Sequence, residues 1–374
     1  MSLDKGRSSS LNWFIQHPRI TGLTIAFFVF VFLDASLGLF FIPYDYSSFR
    51  IPHHFHHHGF EPNFEGQTKW GDRVIPFSTN SLGCRDGSVR TVEPKTSRTR
   101  IVFIGDSFTE GKGVTFDNSF VGIIAESFDT SKVEVLNAGV NSYSPRLYYL
   151  RTKYLLEVLN IQIDELHVFI DISDVQNEIL YQNFTPLPQK KLKSTMYKAH
   201  RFLMMKSFSY NRISSQLEKD NPDYLEGFVF GDSVESLKGD DLEIGHHSRD
   251  YQFLGQWTHN KHLFEFYGKR GLELAEKSMR LLASLCGEHN VALSVTVYPW
   301  PHQVFARDLN SIHVSYWRRF CHDHGVRFVN LFPAFINDTD AGKVYDTYFI
   351  EGDVHWNEAG NNKVAEVFLE AYGG

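Results

Sequence analysis

From Arg100 onward, short apolar runs alternate with amphipathic segments, and this predicts an α/β fold with a parallel sheet of about five strands covered by helices on both faces. Two further observations go with it. Polar clusters rich in Gly, Asp, Asn and Ser directly follow the first three runs, and one long apolar stretch stands apart near the N-terminus. At 374 residues, 42% hydrophobic and 22% charged, the chain has the composition of a folded protein with a full-sized core. A formal net charge of −7 argues against a general nucleic-acid binder.

Residues 20–42 (ITGLTIAFFVFVFLDASLGLFFI) carry one charge, Asp34, and about 20 apolar residues suffice to cross a bilayer. Lys5, Arg7 and Arg19 precede the stretch, and Asp45 is the first charge after it. The positive-inside rule then places residues 1–19 in the cytoplasm and the remainder outside the cytoplasmic membrane, as a single-pass protein. A cleaved signal peptide is the competing reading; its apolar core is usually about 7–15 residues, shorter than this one. Asp34 at mid-membrane costs about 2.5–3.5 kcal/mol, which calls for a partner helix or partner protein, or for a position that reaches water.

Residues 43–99 read as a polar, irregular connector. The run His53-His54-Phe55-His56-His57-His58 lies within it; with no second ligand set in sight, a solvated or membrane-proximal face is expected rather than a metal site. Beyond it, strands are expected at Arg100–Ile104, Val133–Asn137, Glu165–Asp171, Val291–Tyr298 and Val326–Leu331. Helices are expected at Ser119–Ser127, Leu147–Leu159, Gly271–His289, Val314–His324 and Glu358–Tyr372. The sum is a flavodoxin-like three-layer α/β/α sandwich over residues 100–374. Residues from about 185 to 262 break the rhythm and read as an insertion over the active-site edge. Cys84, Cys286 and Cys321 are too few for a disulfide scaffold; Cys286 and Cys321 stand near the ends of two helices, where a pair is conceivable in an oxidising compartment, but buried free thiols are expected.

In an open parallel sheet, ligands bind beyond the carboxyl ends of the strands. Four polar clusters fall on that edge or just before the last helix: Gly105-Asp106-Ser107-Phe108-Thr109-Glu110-Gly111, Asn137-Ala138-Gly139-Val140-Asn141, Asp171-Ile172-Ser173-Asp174 and Asp353-Val354-His355-Trp356-Asn357. A serine hydroxyl becomes a good nucleophile when a histidine takes its proton and a carboxylate orients that histidine. Ser107 supplies the hydroxyl at a strand-to-helix turn, His355 supplies the base, and Asp353, two residues before it, can orient the imidazole if the loop curls. The structural alternatives are a plain strand-to-helix turn at Ser107, a helix cap at Asp353 and a satisfied core histidine at His355.

GDSFTEG resembles the first block of the SGNH/GDSL hydrolases, Asn137-Ala138-Gly139 the second, and Asp353-Val354-His355-Trp356-Asn357 the last. The resemblance runs from about Arg100 to the end, apart from the insertion. It implies a cofactor-independent serine hydrolase with Ser107, His355 and Asp353 as catalytic residues. Its oxyanion hole would be formed by Ser107, Gly139 and the third-block residue. That block usually reads Gly-x-Asn-Asp; here Ser173-Asp174 occupies the place, so Ser173 takes over the donor position of the asparagine. The Asp-x-His-Trp spacing looks like that of members that add or remove acetyl groups on bacterial exopolysaccharides. It implies a carbohydrate or glycolipid ester as substrate, with hydrolysis and acyl transfer both open, as is a non-catalytic polysaccharide-binding or assembly role. Asn141, Tyr143 and Trp300 follow strands and are candidates to line the pocket; Thr109 and Glu110 bind substrate or cap the helix after Ser107. A second Gly-Asp-Ser, at 231–233, follows no regular alternation and is taken as chance.

Overall fold

The computed structural model describes residues 13–42, 48–187, 194–220, 244, 250–336 and 340–373. They fall into two units. Residues 13–42 and 194–220 form the smaller, and the rest form the larger.

The strands of the larger unit are β1 (Arg50–His53), β2 (His57–Phe60), β3 (Glu65–Trp70), β4 (Arg73–Thr79), β5 (Arg85–Asp86), β6 (Thr99–Gly105), β7 (Val133–Asn137), β8 (Glu165–Ile170), β9 (Ala292–Val297) and β10 (Arg327–Asn330). Strands β6 to β10 are the expected apolar runs, with ends displaced by at most one residue. They pair in parallel in the spatial order β7-β6-β8-β9-β10. Counted along the chain that order is 2-1-3-4-5, the doubly wound arrangement of flavodoxin-like sheets. Ile101 to Ile104 are essentially unexposed, as a strand covered on both faces requires.

Strand order reverses between β6 and β8. Right-handed crossovers therefore send the helix Phe120–Ser127 to one face and Pro145–Lys153 to the other. The final helix, Glu358–Gly373, packs beside Phe120–Ser127; Asp174–Tyr181 and Lys269–Glu288 pack with Pro145–Lys153. The reversal leaves a crevice position at the ends of β6 and β8, where Ser107 and Ser173 stand.

Residues 50–86 are not the irregular connector expected. Beyond β7 the sheet continues antiparallel through β5, β4 and β3, joined to the parallel part by the Arg85–Asn137 pair. The β3–β4 hairpin turns at Gly71-Asp72, with Gly71 at φ +56°. Its first strand alternates exposed and half-buried residues, so it carries no apolar run for sequence reading to find.

In the smaller unit, Pro18–Phe41 is a 24-residue helix long and apolar enough to cross a membrane. The helices Ser194–Lys206 and Phe208–Asp220 pack against it. This part of the insertion thus groups with the N-terminal helix. Residues 250–262 stay on the larger unit, where the Trp257 indole N–H donates to the Ile172 carbonyl at 2.8 Å, just past β8. The second Gly-Asp-Ser, at 231–233, lies outside the described residues. All three cysteines are free and buried, so Cys286 and Cys321 are not paired.

Candidate active site

Strand β6 delivers Ser107 into a one-turn helix, Ser107–Glu110, capped by Asp106. The turn is tight because Gly105 has no side chain: a Cβ there would stand 2.2 Å from Thr109 Oγ1. The loop after β7 presses onto the same turn at Gly139, where a Cβ would meet Thr109 and Glu110 at 2.7 Å. His355 arrives from the loop before Glu358–Gly373. Its Nε2 lies 2.8 Å from Ser107 Oγ, and its Nδ1 lies 2.6 Å from Asp353 Oδ1. A carboxylate accepts only, so Nδ1 carries the proton and Nε2 is left to accept from the Ser107 hydroxyl. Ser107 and His355 are 7% and 4% exposed, which shields this chain of hydrogen bonds from bulk water.

Asp353 is held from every side. Its Oδ1 also accepts from the Val354 and His355 backbone N–H groups, and its Oδ2 accepts from the Trp70 indole N–H at 2.5 Å. Burial would raise its pKa; the hydrogen bond and charge of His355 outweigh that and hold it at about 2. Trp70 was not visible as a site residue in the sequence. The β3–β4 hairpin places it there, with its ring edge-on to His355 at 5.1 Å and Lys112 Nζ 4.2 Å over its face. Arg73, across the turn, pairs with Glu358 at 2.9 Å and so ties the hairpin to the helix after His355.

The expected oxyanion donors are all engaged within the protein. The Ser107 N–H donates to Asp106 Oδ1 at 2.5 Å, and the Gly139 N–H to Asn137 Oδ1 at 3.0 Å. The Ser173 hydroxyl donates to Asp171 Oδ1 at 2.6 Å, with Asp106 Oδ2 at 3.3 Å. Ser173 is therefore turned toward carboxylates and not toward an open acceptor position. Asn177, one turn into the next helix, brings its Nδ2 to 3.5 Å from Asp106 Oδ2 and is an amide at this corner that sequence reasoning missed.

Behind the serine, the carboxylates of Asp106, Asp171 and Asp174 lie within 4.8 Å of one another, all buried. Burial and the charge of Asp171 push Asp106 and Asp174 well above the usual carboxylate range. The oxygens are already bonded: Asp171 to Tyr298, Trp300 and Ser173, Asp174 to Tyr148, and Asp106 to the N–H groups of Ser107 and Ser142. Hydrogen bonds within the protein thus engage all three carboxylates.

Two pocket candidates belong to the core instead. Trp300 is buried and its indole N–H donates to Asp171 Oδ2 at 2.9 Å; Tyr143 is unexposed and donates to the His58 carbonyl at 2.6 Å. Asn141 remains half-exposed, its N–H on Glu110 Oε2 at 2.8 Å. Glu110 neither caps nor faces solvent: it is buried and paired with Arg50. Burial would raise its pKa, and the charges of Arg50 and Lys112 bring it down to about 2.

The histidine run is not a solvated face. Arg151 Nη1 donates to His56 Nε2 at 2.9 Å, so His56 Nδ1 carries a proton directed to the His58 carbonyl at 2.8 Å. His58 Nε2 in turn donates to the Asn141 carbonyl at 2.9 Å, fixing the loop after β7. Burial, then the Arg151 charge, depresses His53 to about 3, and burial with His57 does the same for His58. His56 lies well below its usual value, again by burial first. The unfolded chain binds protons at His53 and His58 near pH 6.5 and the folded chain does not until about 3. Stability is therefore complete above 6.5 and is lost as pH falls toward 3, by up to about 1.4 kcal/mol per pH unit for each histidine. Asp106 and Asp174, with raised values, act in the opposite direction, so a difference isolates the histidines. Urea titrations of the His53→Gln/His58→Gln variant are expected to give a flatter stability–pH curve than the parent between about pH 4 and 6. Equal slopes would rule out a neutral histidine cluster.

No protein-family model matches the chain, and no curated protein matches it. Among solved structures it is similar to the acetyl xylan esterase AlAXEase, at 13% identity over 73% of this chain and 98% of that one, TM-score 0.40. It is similar to a catalytic mutant of Axe2, an acetylxylan esterase from Geobacillus stearothermophilus, at 13% identity over 75% and 97%, TM-score 0.39. It is also similar to a putative lipolytic protein of the G-D-S-L family from Desulfitobacterium hafniense DCB-2, at 12% identity over 72% and 99%, TM-score 0.35. Likenesses this distant carry no functional argument.

Proposed function

We propose that this chain is a serine esterase acting on an acyl ester, of acetyl size, on a carbohydrate or glycolipid. In this reading the helix Pro18–Phe41 anchors it in the cytoplasmic membrane with the catalytic unit outside. The observation that carries the catalytic part is the continuous chain Ser107 Oγ, His355 Nε2, His355 Nδ1, Asp353 Oδ1, with steps of 2.8 and 2.6 Å around the ring.

His355 takes the Ser107 proton as Oγ attacks the ester carbonyl. The imidazolium then returns that proton to the departing sugar oxygen, leaving an acyl-serine. Water, activated by the same nitrogen, releases the acid; a second sugar hydroxyl in its place makes the reaction a transfer. The negative charge on the carbonyl oxygen is received by the Ser107 and Gly139 N–H groups, which must leave Asp106 Oδ1 and Asn137 Oδ1 to reach it.

The test is reaction of the full-length protein, in detergent, with a fluorophosphonate probe. Stoichiometric labelling at Ser107 is expected; a folded protein that does not label overturns the esterase reading. A second reading, a polysaccharide-binding or assembly component that keeps the fold, is favoured by one observation: every expected oxyanion donor is already satisfied within the protein.

Trp70 has a defined part in the esterase reading, as a positioning residue acting through Asp353. Trp70→Phe removes a hydrogen bond to a charged group worth about 1.5–3 kcal/mol and keeps the ring beside His355. The expected result is a fall in kcat of about 10- to 100-fold with KM little changed, measured on a soluble acetyl ester. An unchanged kcat would show that Asp353 is held well enough by its other donors.

A further inference from the structure

The helices Ser194–Lys206 and Phe208–Asp220 meet the apolar N-terminal helix at the elbow between them. The Ser209 backbone N–H, at the start of the second helix, donates to Asp34 Oδ1 at 2.8 Å. The one carboxylate of the apolar helix thus serves a donor that its own helix leaves unbonded. Four residues on, Gly38 lets the backbones touch: a Cβ there would stand 2.5 Å from the Lys206 carbonyl oxygen. At the end of the helix, the rings of Phe41 and Phe208 meet edge-on at 6.0 Å. The two short helices are tied to each other as well, through Asn211 Nδ2 to the Met204 carbonyl at 2.9 Å and His200 Nδ1 to the Tyr210 hydroxyl at 2.9 Å.

These contacts fix a depth. Asp34 precedes Phe41 by seven residues, about 10 Å at the rise of an α-helix. If Pro18–Phe41 spans a bilayer, the elbow lies beside its last third, within the leaflet at its C-terminal end. The surface of the elbow suits that position. Phe202 and Ile213 are 62% and 63% exposed, and Leu203, Met205 and Leu217 are exposed too, as are most of the large apolar side chains of the long helix. Lys198, Arg201, Lys206 and Arg212 supply four positive charges before the first acidic residue, Glu218. Basic amphipathic helices with this division of residues lie in the headgroup region of anionic bilayers.

We propose that residues 194–220 form a helical elbow inserted part-way into the bilayer, docked on the spanning helix through Asp34, Gly38 and Phe41, with anionic lipid as its partner. The catalytic unit is then held at the membrane by two segments of the chain and not by one. This rests on the spanning part of the proposed function and is independent of the esterase part.

Full-length Phe202→Cys and Ile213→Cys, each labelled with the dye NBD, would be reconstituted into 3:1 phosphatidylcholine–phosphatidylglycerol vesicles. The native cysteines are buried and remain unlabelled. Phe28→Cys, within the long helix, reports spanning on its own, and Glu366→Cys, exposed on the last helix, reports water. Both elbow labels are expected to be quenched at least about two-fold more by lipid bearing a doxyl group at carbon 5 than by lipid bearing it at carbon 12, as a shallow position requires. The Phe28 label is expected to show the reverse order. Elbow labels that iodide quenches like the Glu366 label, while the Phe28 label stays lipid-quenched, would overturn the elbow and leave the spanning helix standing. A Phe28 label open to iodide would overturn both. Elbow labels shielded from lipid and iodide alike would also overturn the proposal, by showing protein on this face.

Discussion

Ser107→Ala is expected to lower kcat on an acetyl ester by about 10⁶-fold, the scale seen when the nucleophile of a serine triad is removed. Any residual rate should be that of substrate binding and oxyanion stabilisation alone, still about 10³–10⁴ above water. Ser107 Oγ is the atom on His355 Nε2, and the second serine of this corner, Ser173, has its proton on Asp171 and stands outside the chain of proton transfer. Alanine removes one oxygen from a site that is otherwise packed, so the fold should persist, which circular dichroism and the urea midpoint would verify. Loss of fluorophosphonate labelling must accompany the loss of rate. A variant that kept both would show that the nucleophile is elsewhere.

The parallel sheet and the four clusters at its edge were legible because each rests on short-range pattern. Buried parallel strands are continuous apolar runs, and the residues after them are polar where a ligand edge needs polarity. What was not legible rests on pairing across long separations. Trp70 meets Asp353 across 283 residues, brought there by a hairpin whose outer strand has no apolar run. The histidine run looked solvated because six polar or aromatic residues in a row suggest a surface; Arg151, 95 positions beyond His56, bonds to it, and His56 and His57 are buried. Tyr143 and Trp300 follow strands and so pointed to a pocket, yet their polar ends are claimed by His58 and Asp171. Position after a strand places a side chain at the edge and leaves open whether it faces out or in. Asp34 is a similar case in the smaller unit: its charge in an apolar helix called for a partner or for water, and its Oδ1 accepts from the Ser209 N–H of the same chain.

Asp353→Asn is expected to lower kcat by about 10⁴-fold, and the surroundings of Asp353 say why an isosteric change does so much. Three N–H groups point at Oδ1, from His355 Nδ1, Val354 and the His355 backbone, and one, from Trp70, points at Oδ2. An aspartate near pKa 2 accepts all four across any assay range. An asparagine has one oxygen and one NH₂, so it must oppose donor to donor somewhere. With the oxygen at the Oδ1 position, its NH₂ faces the Trp70 N–H and the side chain is pushed off. With the amide flipped, its NH₂ opposes the Val354 and His355 backbone N–H groups and faces His355 Nδ1, which must then accept and leave the proton on Nε2, where the ring can no longer take one from Ser107. A double-mutant cycle separates the two conflicts. Trp70→Phe slows the parent enzyme, but in the Asp353→Asn background it removes the first conflict and favours the productive tautomer. The double variant is therefore expected to be at least as fast as Asp353→Asn alone, a non-additive result of the kind coupled neighbours give. If the two losses instead multiply, Trp70 and Asp353 act independently and the indole does not orient the carboxylate.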